Sequence, residues 1–190
     1  MSAEPDNPDC THLSDHELMA RVGRRDRAAL AELVRRHQNQ VVGLATRFLG
    51  RADLAEDVCQ DAFLRIFERA GSYRPEAKFT TYLYRIVANL CWDYRRRAAR
   101  RTRVGQPPEA GTFEADAVVA AQRRERREAV RQAVAQLPDR QRLALILHRF
   151  QGMGHKEIAQ VTGWTTSAVE SCLVRAYGRL REWLADLKNE

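Results

Sequence analysis

No apolar run in the 190 residues approaches the roughly 20 that a membrane-crossing helix needs. The opening MSAEPDNPDC is polar and acidic and lacks the apolar stretch of a secretory leader, so a cytoplasmic chain without membrane insertion is expected. Cysteine is sparse. Cys10, Cys59, Cys91 and Cys172 are widely separated and form no CxxC pair, which disfavours both a disulfide framework and a zinc ribbon. The last three fall within apolar helical stripes, where a thiol serves as a small hydrophobe. Cys10, His12 and His16 are near one another in sequence but lack a fourth ligand at a standard spacing, so no metal is expected there. Strand-like alternation is absent, as are a glycine-rich phosphate loop and any nucleophile–base pair. No catalytic residue and no cofactor is therefore predicted.

What the chain does have is helical periodicity and positive charge. Lys and Arg outnumber Asp and Glu by 32 to 25, and the net charge of +7 favours a polyanionic partner. Ser14 and Glu17 read as a capping box that opens a short helix with Leu18 and Val22 inward. Asp26 caps a long second helix whose apolar positions are Leu30, Leu33, Val34, Val41, Leu44, Ala45 and Phe48, and Gly50 stops it. Asp53 and Glu56 repeat the capping-box pattern and start a third helix running to about Ala70. Its apolar face is Leu54, Val58, Cys59, Ala62, Phe63, Ile66 and Phe67. GSYRPEAK (71–78) reads as a loop, and a fourth helix runs from about Phe79 to Arg101 on the inner stripe Leu83, Ile86, Val87, Leu90 and Tyr94.

The segment VGQPPEAGTFEADAV (104–118) holds two prolines, two glycines, three acids and no base, the composition of a linker. Beyond it, from near Ala120, come a charge-dense helix with Val130, Ala133, Val134 and Leu137 inward and a helix with Pro138 in its first turn. Leu143, Ile146, Leu147 and Phe150 form the inner stripe of that second helix, and two further helices end near Leu187. The expected fold is all-α: two small helical domains, 14–103 and 120–188, joined by a flexible linker at 104–119.

Three patterns carry function. In HKEIAQVTGWTTSAVESCLV (155–174), Ala159 is small where two helices cross, Gly163 allows a left-handed turn, and Val169 packs the second helix back on the first. With the second helix starting near Thr166, the residues Thr166, Ser167, Glu170, Ser171, Val174 and Arg175 face outward and suit a major groove. A plain helical hairpin is the bland alternative. On the third helix, Glu56, Asp57, Gln60 and Asp61 recur opposite the apolar stripe. They either complement the helix dipole or present a surface for a basic protein. The third pattern concentrates aromatics at Tyr73, Phe79, Tyr82, Tyr84, Trp92 and Tyr94, followed by Arg95, Arg96, Arg97, Arg100, Arg101 and Arg103. Flat faces and cations together suit single-stranded nucleic acid, and Asn89 adds an amide for a base edge.

These patterns, in this order, resemble the sigma-70 family, specifically its small extracytoplasmic-function (ECF) members. ADLAEDVCQDAFLRIF (52–67) is similar to the family's region 2.2, KFTTYLYRIVANLCWDYRRR (78–97) to regions 2.3 and 2.4, and the segment 137–180 to region 4. The resemblance implies that domain 14–103 binds RNA polymerase core through Glu56, Asp57, Gln60 and Asp61 on the largest-subunit clamp. The same domain would take up single-stranded −10 promoter DNA through Tyr73, Tyr82, Asn89, Trp92, Arg95 and Arg96. Domain 120–188 would bind the polymerase flap and duplex −35 DNA through Thr166, Ser167, Glu170, Ser171, Val174 and Arg175. An anti-sigma factor is a further implied partner. Glu170 and Cys172 stand where many relatives carry bases, so no promoter sequence is carried over. A stand-alone helix-turn-helix regulator is the competing reading; it leaves the acidic face and the aromatic–arginine helix unexplained.

Overall fold

The computed structural model describes residues 10–102 and 118–185. Eight α-helices follow one another: α1 (Asp15–Val22), α2 (Arg27–Leu49), α3 (Ala52–Arg69), α4 (Phe79–Thr102), α5 (Val118–Gln136), α6 (Asp139–Gln151), α7 (His155–Thr162) and α8 (Thr166–Trp183). Short 3₁₀ turns lie at Cys10–His12 and Ala70–Ser72, and no strand occurs among the described residues. Helices α1–α4 form the first module and α5–α8 the second.

Local chemistry explains most of the helix ends. The Ser14 amide donates to Glu17 Oε2 (2.7 Å) and the Glu17 amide to Ser14 Oγ (3.3 Å), the reciprocal capping box expected for α1. Asp26 Oδ1 accepts from the amides of Ala28 and Ala29 and so starts α2. Gly50, with φ of 73°, ends that helix in the left-handed conformation and sends its amide to Thr46 O.

The start of α3 differs from expectation. Arg51 occupies the N-cap without a side-chain bond, and Asp53 sits inside the first turn, gripped by the Arg51 guanidinium. That bond holds the Asp53 carboxyl below its usual range, and a negative group in the first turn still suits the helix dipole. Ala55, in helical register with Val58, Cys59 and Ala62, takes the inward position rather than Leu54, and Leu54 is half-buried. Pro138 likewise stands one residue before α6, at its N-cap, with an extended ψ of 142°.

The core is continuous across both modules. Leu33, Val41, Leu44 and Phe48 of α2 meet Val58, Ile66, Leu83, Val87 and Leu90 of α3 and α4, and the same cluster takes in Leu143, Ile146, Leu147 and Ile158 of the second module. Cys91 lies inside it, and burial pushes its thiol up to about 12. Cys59 is buried and Cys172 half-buried, as apolar filling of the helix stripes implies. Phe150 departs from the inward stripe assigned to it. It is 44% exposed and lies under the Arg47 guanidinium, 4.4 Å from ring centroid to Cζ, because α6 ends beside α2 rather than beneath it.

Buried charge organises the N-terminal corner. Glu32 accepts from both Arg35 and Arg36 at 2.7 Å, and Arg36 continues to Leu13 O, Thr11 O and Asp15, tying the N-terminal turn onto α2. His37 Nε2 lies 2.8 Å from Asp15 Oδ2 in the same corner.

The two guanidiniums hold the Glu32 carboxyl at about 2, below its ordinary 4.5. A depressed folded value stabilises the fold above the unfolded value, so the contribution is complete above pH 4.5 and is lost as pH falls through about 2. Glu32→Gln should therefore lower the urea midpoint at pH 6, with the gap from wild type closing as titration approaches pH 2. A gap independent of pH would contradict this. In the second module, Val169 is fully buried and Val174 is 66% exposed. Val169→Ala should cost about 2 kcal/mol of unfolding free energy and Val174→Ala less than about 0.5, measured by urea denaturation.

Candidate nucleic-acid interface

Helices α7 and α8 form the helix-turn-helix. Gly163 has φ of 73° and closes α7 with its amide on Ala159 O, a conformation that strains a residue bearing Cβ. Thr162 Oγ1 donates to Ile158 O and accepts from the Trp164 amide, and Thr165 Oγ1 caps α8 by accepting from the Ala168 amide. Ile158, Val169, Leu173 and Ala176 are buried, which fixes the rotation of α8. As a result Thr166, Ser167, Glu170, Ser171, Val174 and Arg175 are all exposed on one face, as the helical register implies. Trp164, in the turn, is stacked beneath Arg140 at 4.9 Å, a support that the spacing alone did not reveal.

The acidic surface lies on α3. Glu56, Asp57 and Gln60 are exposed; Asp61 is half-buried and accepts from the Tyr94 hydroxyl at 3.3 Å. Burial foremost, and the Asp61 charge next, raise the Tyr94 hydroxyl above its usual range, so it remains a donor. One turn beyond Gln60 the stripe continues into Leu64, 55% exposed. An apolar side chain standing in water beside an acidic row suits a protein partner better than DNA. Sequence reading missed Leu64; its signal was an apolar residue at i+4 from Gln60, on the polar side of the helix.

The aromatic and arginine residues divide into two groups. Tyr73 and Tyr82 meet at 5.1 Å between ring centroids, and the Tyr73 hydroxyl bonds His16 Nδ1 at 2.8 Å, linking the loop before α4 to α1. Burial pushes both hydroxyls upward. Farther along α4, Trp92 leans edge-on against buried Phe48 at 5.4 Å and is half-buried. Tyr82, Asn89 and Arg96 recur every seven residues and so share one stripe of α4, about 21 Å long at 1.5 Å per residue. Asn89 and Arg96 are exposed there, with Arg96 paired to Asp93. Arg95 differs: its guanidinium forms an ion pair at 2.8 Å with Asp139 of the second module.

The structure thus brings Tyr73 to Tyr82 and aligns Tyr82, Asn89 and Arg96, while Trp92 and Arg95 turn toward other protein groups. Arg103 lies outside the described residues. Among the described residues, no cluster of three His, Cys, Asp or Glu side chains is placed to hold a metal, and no helix is long and apolar enough to cross a membrane.

Comparison with known proteins matches residues 33–101 to the sigma-70 region 2 family and residues 127–180 to the sigma-70 region 4 family. The RNA polymerase sigma-H factor of Pseudomonas aeruginosa is 32% identical, over 95% of this chain and 98% of its own. The ECF RNA polymerase sigma factor SigM of Mycobacterium tuberculosis is 35% identical, over 92% of this chain and 86% of its own. Among solved structures, CnrH in complex with the cytosolic domain of CnrY superposes with a TM-score of 0.69 at 26% identity, covering 90% of this chain and 97% of that one. The two family matches fall on the two modules that the helices define, and with full-length relatives on either side they place this chain in the sigma-70 family, in its extracytoplasmic-function branch.

Proposed function

We propose that this chain works in the cytoplasm as a promoter-specificity factor, binding RNA polymerase core and directing it to start sites, and that it catalyses no reaction itself. The observation that carries this reading is the division of labour among exposed faces. One helix is acidic with an apolar spot, and two others carry nucleic-acid-type surfaces on separate modules. A stand-alone regulator has use for the α8 face but none for the acidic row on α3.

Domain 14–103 would hold core and the −10 element, and domain 120–188 the −35 element, with 104–119 connecting them. Glu56, Asp57, Gln60 and Asp61, joined by Leu64, would dock on the basic clamp of the largest subunit, while the second domain reaches the flap. Tyr73, Tyr82, Asn89 and Arg96 would take the single-stranded −10 bases, with Trp92 and Arg95 completing the surface. Pulling bases from the stack costs a few kcal/mol, which aromatic faces and polymerase binding offset. On α8, Arg175 would bond guanine or a phosphate, Glu170 would accept from cytosine N4, and Val174 would touch a thymine methyl, flanked by Thr166, Ser167 and Ser171. An anti-sigma factor is a further proposed partner; CnrH, similar in fold to this chain, was solved in complex with the cytosolic domain of a second protein, CnrY.

Run-off transcription from genomic fragments with purified core polymerase should show start-site selection only when this chain is added; no selection would refute the proposal. Glu56→Arg with Asp57→Arg should weaken core binding at least tenfold in a fluorescence titration while circular dichroism shows unchanged helix content. Arg175→Ala should weaken duplex promoter binding by about fivefold to a hundredfold, and lower the salt slope by about one if its partner is a phosphate.

A further inference from the structure

His16 is exposed on α1 and lies outside the core cluster. The helix is held in place by other groups. Leu18, Met19 and Val22 are fully buried, and Asp15 accepts from Arg36 at 3.1 Å and meets His37 at 2.8 Å, which fastens α1 to α2. At the other end, Gly23 closes α1 so near Ala70 O that a Cβ there would come within 3.3 Å of it. Arg25 then lies over the Phe67 ring at 4.9 Å. Without the His16 ring, α1 would still be fastened to α2 and to the end of α3.

What His16 touches is Tyr73. The Tyr73 hydroxyl lies 2.8 Å from His16 Nδ1, and the two rings stack at 6.0 Å between centroids with 25° between their planes. Tyr73 also meets Tyr82 of α4 at 5.1 Å. A chain of ring contacts therefore runs from α1 through the loop to α4, with Tyr73 in the middle.

The main chain at Tyr73 is set by the 3₁₀ turn before it. Its amide donates to Ala70 O at 3.2 Å, and its φ and ψ of −64° and 132° are extended. A fixed main chain still leaves a half-buried tyrosine free to change rotamer. The bond to His16 removes that freedom, because the ring must point at Nδ1 to make it. Burial raises the hydroxyl above its usual range, so it keeps its proton and donates, and Nδ1 is the acceptor. A ring that is to stack on an unpaired base binds better when already oriented, since ordering it during binding would cost affinity.

We propose that His16 is a positioning residue for the −10 site: by accepting the Tyr73 hydroxyl it holds that ring, against Tyr82, in the orientation that receives an unpaired base. The proposal rests on the assignment of Tyr73 and Tyr82 to the single-stranded −10 element. It brings α1, which carries no residue assigned to DNA or core, into promoter opening.

Two substitutions separate the acceptor from the ring. In His16→Asn the carbonyl oxygen is bonded to Cγ as Nδ1 is, so an acceptor remains. His16→Phe keeps a ring and removes the acceptor. Holoenzyme made with each chain is mixed with a promoter fragment recovered from the run-off experiment, and permanganate reactivity of unpaired thymines follows strand opening. His16→Phe should slow opening about threefold to tenfold, the effect of one hydrogen bond, and His16→Asn should stay within about twofold of wild type. Core binding in a fluorescence titration should be the same for all three. Tyr73→Phe should slow opening by a factor similar to His16→Phe, and the double variant should be no slower than either single one. Wild-type opening by His16→Phe, equal losses for Asn and Phe, or losses that multiply in the double variant would each overturn the proposal.

The bond itself is tested in the free chain. With tyrosine carrying ¹³C at Cζ, His16→Phe should move the resonance that Tyr73→Phe deletes from the set of five. An unmoved resonance would overturn the bond, whatever the chain does in transcription. Failure of wild-type holoenzyme to open any fragment would sink the sigma-factor reading and the −10 role of His16 with it, while the tyrosine spectrum would still decide the bond.

Discussion

A guanidinium removed from water is costly unless its hydrogens find oxygens, and Arg142 finds four backbone carbonyls. Burial first, and the neighbouring Arg95 charge next, pull its pKa down to about 10, so it remains charged at neutral pH. Three of the carbonyls end α5 and the fourth ends α2. One side chain therefore fixes the corner between α5 and α6 and the seam between the modules. The apolar cluster supplies bulk attraction without direction, and the planar fork of the arginine sets the angle at which α6 meets α2.

The remaining charge follows a similar logic of placement. The chain is basic overall, yet the outer side of α3 is acidic, and the Tyr94 hydroxyl holds Asp61 in that row. A uniform positive surface would bind any polyanion. A negative face on the same body permits a second, protein partner to be told apart from nucleic acid. Helix α4 carries two tasks at once, since Leu83, Val87 and Leu90 bury one side while Tyr82, Asn89 and Arg96 line another.

Much of this was readable from the residues, for identifiable reasons. Helix ends signalled by side-chain chemistry, such as Ser14 with Glu17, Asp26, Gly50 and Gly163, lie where the pattern put them, because a capping oxygen or a left-handed glycine acts within a few residues. The outward set on α8 followed from burial of Val169, Leu173 and Ala176, again a local matter of helical period. What escaped the sequence is set at long range. Arg142 is one of 32 basic residues and resembles any solvated cation until α2 is packed beside it. Phe150 looks like core by period, but α6 stops alongside Arg47 and leaves the ring at the surface. Leu64 looks like a stray apolar residue until its row with Gln60 is seen. The pairing of Arg95 with Asp139 joins residues 44 positions apart across a linker, beyond the reach of any periodicity.

Two arginine caps join the modules, and their acceptors are the main-chain oxygens of Phe48 and Gln160. Such an oxygen is present whatever amino acid occupies the position, so substitutions there leave the acceptor in place as long as the helix ends at the same turn. Within these two caps, where Arg142 donates to Phe48 O and Arg85 to Gln160 O, substitution therefore acts from the donor side. Loss of either arginine would leave a helix C-terminus at the seam between the modules with an uncapped carbonyl.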